Sequence, residues 1–330
     1  MQQLTGAGIL GTGHYVPERV LTNADLENMV DTSDEWIRTR TGIEKRHLAA
    51  DNEDTSDLAS KAAQQAMDAA GISPEEIDFI IVATASPDYT VPSTACMVQQ
   101  KLGCTKAGGI DLSAGCAGFV YAVSVGSQMV RTGMYKKVLV IGAEVLSRVV
   151  NWNDRNTCIL FGDGAGAAVL GPVEEGYGFL GADMGVDGSL GNILSIPASG
   201  VAEPVTHRAI DSGRIYIHME GSEVFKAAVR HMDSTTLRAL EKADMTKEDI
   251  DLLIVHQANY RIIQATAKKL DIPADKLFIN IEKYGNTSAA SVGIALDEAV
   301  RSGRVHHGDR IVMTGFGAGL AWGSVVMRWM

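Results

Sequence analysis

The chain is short of several features that would direct its function. Its four cysteines, Cys96, Cys104, Cys116 and Cys158, include no Cys-x-x-Cys pair, which argues against a zinc ribbon or a redox dithiol. There is no basic excess: 29 Lys and Arg stand against 40 Asp and Glu, a net charge of −11. General nucleic-acid binding needs a cationic surface to displace counterions, so it is excluded as well. No apolar run approaches a membrane span; Phe79–Ala83 and Val138–Gly142 are typical, and no membrane insertion is expected. Met1–Tyr15 carries no Lys or Arg ahead of its apolar stretch, so no signal peptide is expected and a reducing cytoplasm is the expected location. What is present is the composition of a globular chain, 46% apolar and 21% charged over 330 residues, enough for one or two domains.

The chain repeats itself. Ile77-Asp-Phe-Ile-Ile-Val-Ala-Thr-Ala-Ser86 aligns with Ile250-Asp-Leu-Leu-Ile-Val-His-Gln-Ala-Asn259, and Lys137-Val-Leu-Val-Ile-Gly142 aligns with Arg310-Ile-Val-Met-Thr-Gly315. Both pairs are displaced by 173 positions (77 to 250, 137 to 310). Apolar runs this short and this rich in Ile and Val predict strands buried on both faces, as in parallel sheets covered by helices. Two α/β halves, 1–172 and 173–330, are therefore expected, with matching strand ends converging on one cleft. The Gly-rich, polar stretch Pro172–Glu220 has no partner in the first half and is expected to be an insertion near the cleft mouth.

Three residues carry the chemical signal. Cys116 follows a short predicted strand and a turn of small residues, then meets a helix apolar nearly all round. A thiol at a helix N-terminus is expected to have a lowered pKa, although an inert core cysteine is the commoner case. His256 ends the strand Leu252–Val255; a satisfied core histidine is the alternative. Asn286, in Tyr284-Gly-Asn-Thr-Ser-Ala-Ala-Ser291, precedes another small-residue helix, where it could equally be a cap. Gly162-Asp-Gly-Ala-Gly166 and Gly11-Thr-Gly13 open no helix, so neither is a dinucleotide loop. Gly315-Phe-Gly-Ala-Gly319 follows the last repeated strand and could offer a backbone N–H to an oxyanion.

Together, Asp111-Leu-Ser-Ala-Gly-Cys-Ala-Gly-Phe119, His256-Gln-Ala-Asn259 and Gly285-Asn-Thr-Ser-Ala-Ala-Ser291 resemble the β-ketoacyl-[acyl-carrier-protein] synthase III family, as do Thr32–Ile37 and Phe161–Ala167. The resemblance covers essentially the whole chain. It implies the thiolase-like five-layered αβαβα fold, a homodimer, and decarboxylating condensation of an acyl-CoA with malonyl-[acyl-carrier protein] to start fatty-acid synthesis. By motif, Cys116 would carry the acyl group, and His256 and Asn286 would promote decarboxylation. The N–H groups of Cys116 and Ala318 would hold the oxyanion, although the family often has Gly at the latter position. Trp36 and Arg155 match positions flanking the adenine of coenzyme A, and Asn259 a further polar site residue. No metal or cofactor is implied; coenzyme A thioesters and acyl carrier protein are the substrates and partners. Lys226, Arg261, Lys268 and Lys269 are the expected docking surface for that acidic carrier. Val91 falls where the family places a residue reaching into the partner's acyl pocket. Thiolases and hydroxymethylglutaryl-CoA synthases share the fold and nucleophile but pair them with a second cysteine or a glutamate rather than Asn286. A non-catalytic acyl-CoA-binding relative is the remaining alternative, and only a synthase would release carbon dioxide from malonyl-carrier protein.

Overall fold

The computed structural model describes residues 6–330; the part of Met1–Tyr15 before Gly6 lies outside them. The Ile- and Val-rich runs form the centres of two five-stranded sheets. The first holds β1 (Gly6–Tyr15), β2 (Phe79–Ala83), β3 (Gly108–Leu112), β4 (Val138–Glu144) and β5 (Gly164–Val173), in spatial order β1-β5-β4-β2-β3. The second holds β6 (Gly178–Val186), β7 (Leu252–Val255), β8 (Leu277–Phe278), β9 (Arg310–Gly317) and β10 (Ala321–Arg328), in order β6-β10-β9-β7-β8. Strand directions repeat as well: β3, β2 and β4 run parallel like β8, β7 and β9, and the outer pairs are antiparallel in both. Phe79 lies opposite Val138 and Leu252 opposite Ile311, each pair again displaced by 173.

One expectation needs correction. Pro172–Glu220 is not an insertion throughout, because Gly178–Val186 forms β6, the counterpart of β1. As an edge strand it leaves Met184 and Val186 exposed, so its apolar pattern does not advertise the repeat. Beyond it, residues 187–220 hold only short elements, and Leu194, Ser195, Ile196, Ser199 and Ile217 do line the cavity described below.

Seven helices matter here: α1 (Asp34–Thr41), α2 (Thr55–Ala70), α3 (Thr94–Leu102), α4 (Gly118–Arg131), α5 (Gly221–Glu241), α6 (Tyr260–Lys269) and α7 (Ser291–Arg301). Helices α4 and α7 form the middle layer, α2 and α3 cover the first sheet, and α5 and α6 cover the second, giving five layers, αβαβα. The central strands read as unbroken apolar runs because both faces are covered. In β2, Ile80 and Val82 pack with Leu58, Ala62 and Met67 of α2, while Ile81 and Ala83 pack with Phe119, Val120 and Val123 of α4. In β7, Leu253 and Val255 face outward and Leu252 and Ile254 face the middle layer. Each such side chain contributes roughly 1.5–3 kcal/mol by leaving water. Each middle-layer helix is entered through a 3₁₀ turn, Gly115–Ala117 before α4 and Ser288–Ala290 before α7, and these turns too are displaced by 173.

Candidate active site

The turn that carries Cys116 is shaped by its neighbours. Gly115 takes φ +50°, a left-handed conformation, and a Cβ there would stand 2.7 Å from the Ala318 nitrogen. A Cβ on Gly317 would collide with the Cys116 nitrogen. The segments Gly115–Cys116 and Gly317–Ala318 therefore pass backbone to backbone, which brings together the two N–H groups expected to hold an oxyanion. Ala318 itself is not among the positive-φ residues, so its methyl brings no backbone strain.

Cys116 corrects a second expectation. It lies in the 3₁₀ turn just before α4, but its thiol is almost wholly buried, and burial pushes its pKa up to about 12. The neighbouring Ser288 hydroxyl pulls it down, and the buried Glu144 carboxylate pushes it further up. The magnitudes explain the outcome. A helix N-terminus favours an anion by about 0.3–1 kcal/mol, less than one pH unit, whereas burial shifts a group by up to about 3–5 units. Sequence shows the helix end but not the depth.

His256 is 3% exposed at the end of β7, where its backbone N–H donates to the Thr314 carbonyl at 2.8 Å. Burial alone pushes its imidazole down to about 3. Its Nδ1 lies 2.6 Å from Ser291 Oγ. Burial thus pushes the thiol and the imidazole each toward its neutral form and disfavours a thiolate–imidazolium pair.

Asn286 makes the local cap bond that sequence left open, and its amide nitrogen stays available. Its Oδ1 accepts the Ser288 N–H at 2.8 Å, the bond of a local cap. An amide oxygen so engaged fixes the flip of the side chain and leaves its NH₂ as the donating end. The backbone is pinned to the first half on both sides: Asn286 N–H donates to the Leu160 carbonyl at 2.8 Å, and the Gly162 N–H donates to the Asn286 carbonyl at 3.0 Å.

Cys116, His256, Asn286 and Ala318 all line one cavity of about 860 Å³. Trp36 and Asn259 line it too. Asn259 has other duties: its Oδ1 caps α6 through the Arg261 N–H at 2.8 Å, and its Nδ2 donates to the Arg40 carbonyl at 3.0 Å. Arg155 is exposed and outside the lining, with its guanidinium 5.3 Å from the centre of the Trp36 ring and Nη1 donating to the Asp31 carbonyl. Lys226 and Arg261 line the cavity, on α5 and α6 respectively; Lys268 and Lys269 lie farther along α6 and do not, and Lys269 is 3.6 Å from Asp233. Val91 is 83% exposed and does not line the cavity of its own chain.

Sequence reasoning missed four contributors. Arg40 holds its guanidinium 5.7 Å from the Trp36 ring; it sits four residues on, on the same face of α1, a spacing that could have flagged it. Ser288 takes φ +48° and stands 173 positions after Gly115, so the repeat itself marks it as a residue of the duplicated turn. Ser291 is the first residue of α7, and Phe316 lines the cavity from β9.

Two family profiles match the chain, 3-oxoacyl-[acyl-carrier-protein] synthase III over residues 110–188 and the C-terminal part of the same family over residues 240–329. The chain is 56% identical to the β-ketoacyl-[acyl-carrier-protein] synthase III of Caldanaerobacter subterraneus subsp. tengcongensis, over all of this chain and 99% of that protein. It is 54% identical to that of Desulfitobacterium hafniense, over 99% of this chain and 98% of the other. Among solved structures it is similar to 3-oxoacyl-[acyl-carrier-protein] synthase III from Aquifex aeolicus, with a TM-score of 0.91 and 49% identity over 98% of this chain and all of that one.

A neutral resting thiol has a direct test. Alkylation of Cys116 by iodoacetamide is expected to rise about tenfold per pH unit from about pH 7 to about pH 9, because the thiolate fraction grows at that rate below the pKa. A rate that levels off near neutrality would show a stabilised thiolate instead.

Proposed function

The chain belongs to the 3-oxoacyl-[acyl-carrier-protein] synthase III family, and on that footing we propose that Cys116, His256 and Asn286 perform its chemistry in separable steps. The enzyme is an acyltransferase of fatty-acid biosynthesis that condenses an acyl-CoA primer with malonyl-[acyl-carrier protein], releasing carbon dioxide and 3-oxoacyl-[acyl-carrier protein]. The observation that carries the assignment of roles is that one nucleophile and two neutral hydrogen-bond donors line the same buried cavity.

In the first step, Cys116 Sγ attacks the thioester carbon of the primer. The N–H groups of Cys116 and Ala318 hold the developing oxyanion, each worth about 3–4 kcal/mol in the transition state. The bond to the coenzyme A sulfur breaks, and coenzyme A leaves as the thiol. Trp36, flanked by the guanidiniums of Arg40 and Arg155, offers a flat face to the adenine, and Asn259 holds α6 against α1 beside it. In the second step, the malonyl thioester loses carbon dioxide and its carbonyl oxygen gains negative charge. His256 Nε2–H and Asn286 Nδ2–H donate to that oxygen without giving up a proton. The carbanion then attacks the acyl group on Cys116: the new carbon–carbon bond forms, the Sγ–acyl bond breaks, and Sγ takes a proton from solvent to return to the resting thiol. No step calls on a metal or a bound cofactor. We place the reaction in the cytoplasm, where both thioester substrates coexist with a free Cys116 thiol. Among the described residues no helix is long and apolar enough to cross a membrane.

The roles separate experimentally. Cys116→Ala is expected to abolish covalent acyl labelling and condensation. His256→Ala and Asn286→Ala are expected to keep a burst of acyl-enzyme while carbon dioxide release falls at least a hundredfold, the order reached when a transition-state donor is removed. Equal loss of both steps in Asn286→Ala would mean that its bond to the Ser288 N–H, not its NH₂, is what matters.

The carrier's docking surface is proposed on Lys226 and Arg261 at the cavity edge, with Lys268 and Lys269 along α6. Among the described residues Lys226 is paired only with the exposed Glu223 at 2.8 Å, a contact of small worth that an acidic partner can replace. Arg261→Glu is expected to raise KM for malonyl-carrier protein several-fold, more than KM for acyl-CoA, with the difference shrinking in high salt. An unchanged KM with no salt dependence would remove these residues from the docking surface.

A homodimer is proposed from the family and from two exposed features of the single chain. Strand β3 is a sheet edge on which Gly108, Gly109 and Ile110 are open to solvent, and an unprotected edge invites pairing with a second copy. Val91 lies nearby, in the loop that enters α3. Reaching into the partner's acyl pocket, a valine there would leave room for a four- to eight-carbon or branched primer. At about 0.8 kcal/mol per buried methylene, the preference over acetyl would be roughly 1–3 kcal/mol, about 10- to 200-fold. The expected result is that Val91→Phe narrows the enzyme toward acetyl-CoA when kcat/KM is compared for acetyl-, isobutyryl- and hexanoyl-CoA. A wild type that already prefers acetyl strongly, and a variant that changes nothing, would end the idea.

A further inference from the structure

The hydrogen bonds around His256 decide which of its nitrogens carries the proton. Nδ1 lies 2.6 Å from Ser291 Oγ, and both residues are buried. The same oxygen accepts the Gln257 backbone N–H at 3.4 Å. A serine hydroxyl has one proton and two lone pairs, so this amide occupies one lone pair and leaves the proton to be placed. Among the described residues Ser291 Oγ has no other hydrogen-bond partner than Gln257 and His256, so Nδ1 is the only acceptor offered. Ser291 is also the first residue of α7, whose positive pole disfavours an imidazolium beside it. Among the described residues no carboxylate approaches the ring to favour the charged form.

We propose that Ser291 is a positioning residue that donates its hydroxyl proton to Nδ1 and thereby fixes His256 as the Nε2–H tautomer. The inference rests on the reading of His256 as a donor to the enolate, and it adds the residue that makes it one. It also has a consequence for acyl transfer. A nitrogen already bearing its proton cannot accept one from Cys116, so the thiol proton goes to the departing sulfur. The Sγ–H and acyl–S(CoA) bonds break, the Sγ–acyl and H–S(CoA) bonds form, and the books balance without an imidazolium.

The test uses full-length protein labelled with nitrogen-15 histidine, with His256→Ala to assign its ring signals. In the wild type, Nε2 is expected to be protonated and Nδ1 bare across the neutral range. In Ser291→Ala the two tautomers are expected to mix, and the ratio of malonyl-carrier decarboxylation to acyl transfer is expected to fall about tenfold, the scale of one neutral hydrogen bond. Ser291→Thr, which keeps a hydroxyl, is expected to restore both. A wild-type spectrum with Nδ1–H overturns the inference, even if His256→Ala is inactive in decarboxylation. So does a Ser291→Ala enzyme that loses both steps equally and is not rescued by threonine. Full decarboxylation by His256→Ala would instead strike the enolate role, and Ser291's part in the reaction with it.

Discussion

Where the two halves meet, glycine backbones touch, and the reaction site depends on nothing standing between them. Gly317 leaves no space for a side chain beside the Cys116 nitrogen, and Gly115 leaves little beside the Ala318 nitrogen. A side chain at either place would drive the Cys116 turn away from β9. Displacements of about 1 Å at such a site can cost about a hundredfold in rate. The five layers, the buried strands and the helix pair between the sheets hold this approach at its present distance.

Depth is the second constraint, and it sets the charge state. Burial moves the Cys116 thiol and the His256 imidazole in opposite directions, each toward its neutral form. A neutral cavity suits a reaction whose negative charge appears on a substrate oxygen and then disappears. Donors that are already neutral need no change of ionisation to meet it, and among mostly apolar lining residues each is worth more than it would be in bulk water. The Asn286 amide is prepared the same way, since its oxygen is occupied by the Ser288 N–H and only its nitrogen is left to donate.

Much of this was legible in the sequence because the repeat is strict where strands are buried on both faces. Phe79–Ala83 and Leu252–Val255 had no freedom to vary toward polarity, so their displacement by 173 survived. The edge strand Gly178–Val186 exposes Met184 and Val186, and its kinship with β1 vanished from the sequence. Cys116 and His256 announced themselves as polar groups at the ends of apolar runs. The direction of the thiol's pKa did not, because it depends on how deeply the turn is covered by residues some 170 to 200 positions away. Ser291 looked like one more small residue; only the fold brings its hydroxyl to the imidazole.

The duplication copies geometry without copying chemistry, and the difference explains which turn is open to substrate. Counting by 173, Gly115 and Cys116 correspond to Ser288 and Ala289, and Glu144 corresponds to Gly317. Ser288 keeps a left-handed φ of +48°, close to the +50° of Gly115, although the conformation costs a non-glycine residue roughly 1 kcal/mol or more. In the second turn the Ala289 N–H meets the Glu144 carboxylate at 3.5 Å, a carboxylate that also accepts from Ser86 Oγ at 2.6 Å and from the Ala85 N–H at 3.1 Å. The protein therefore carries a twin of its proposed oxyanion site in which the N–H already meets a buried carboxyl group, one that burial pushes toward its neutral form. In the first turn the corresponding position is Gly317, which brings no such carboxyl group. Cys116 lines the cavity, and its turn keeps the shape of the twin without the carboxyl group that occupies the twin's N–H.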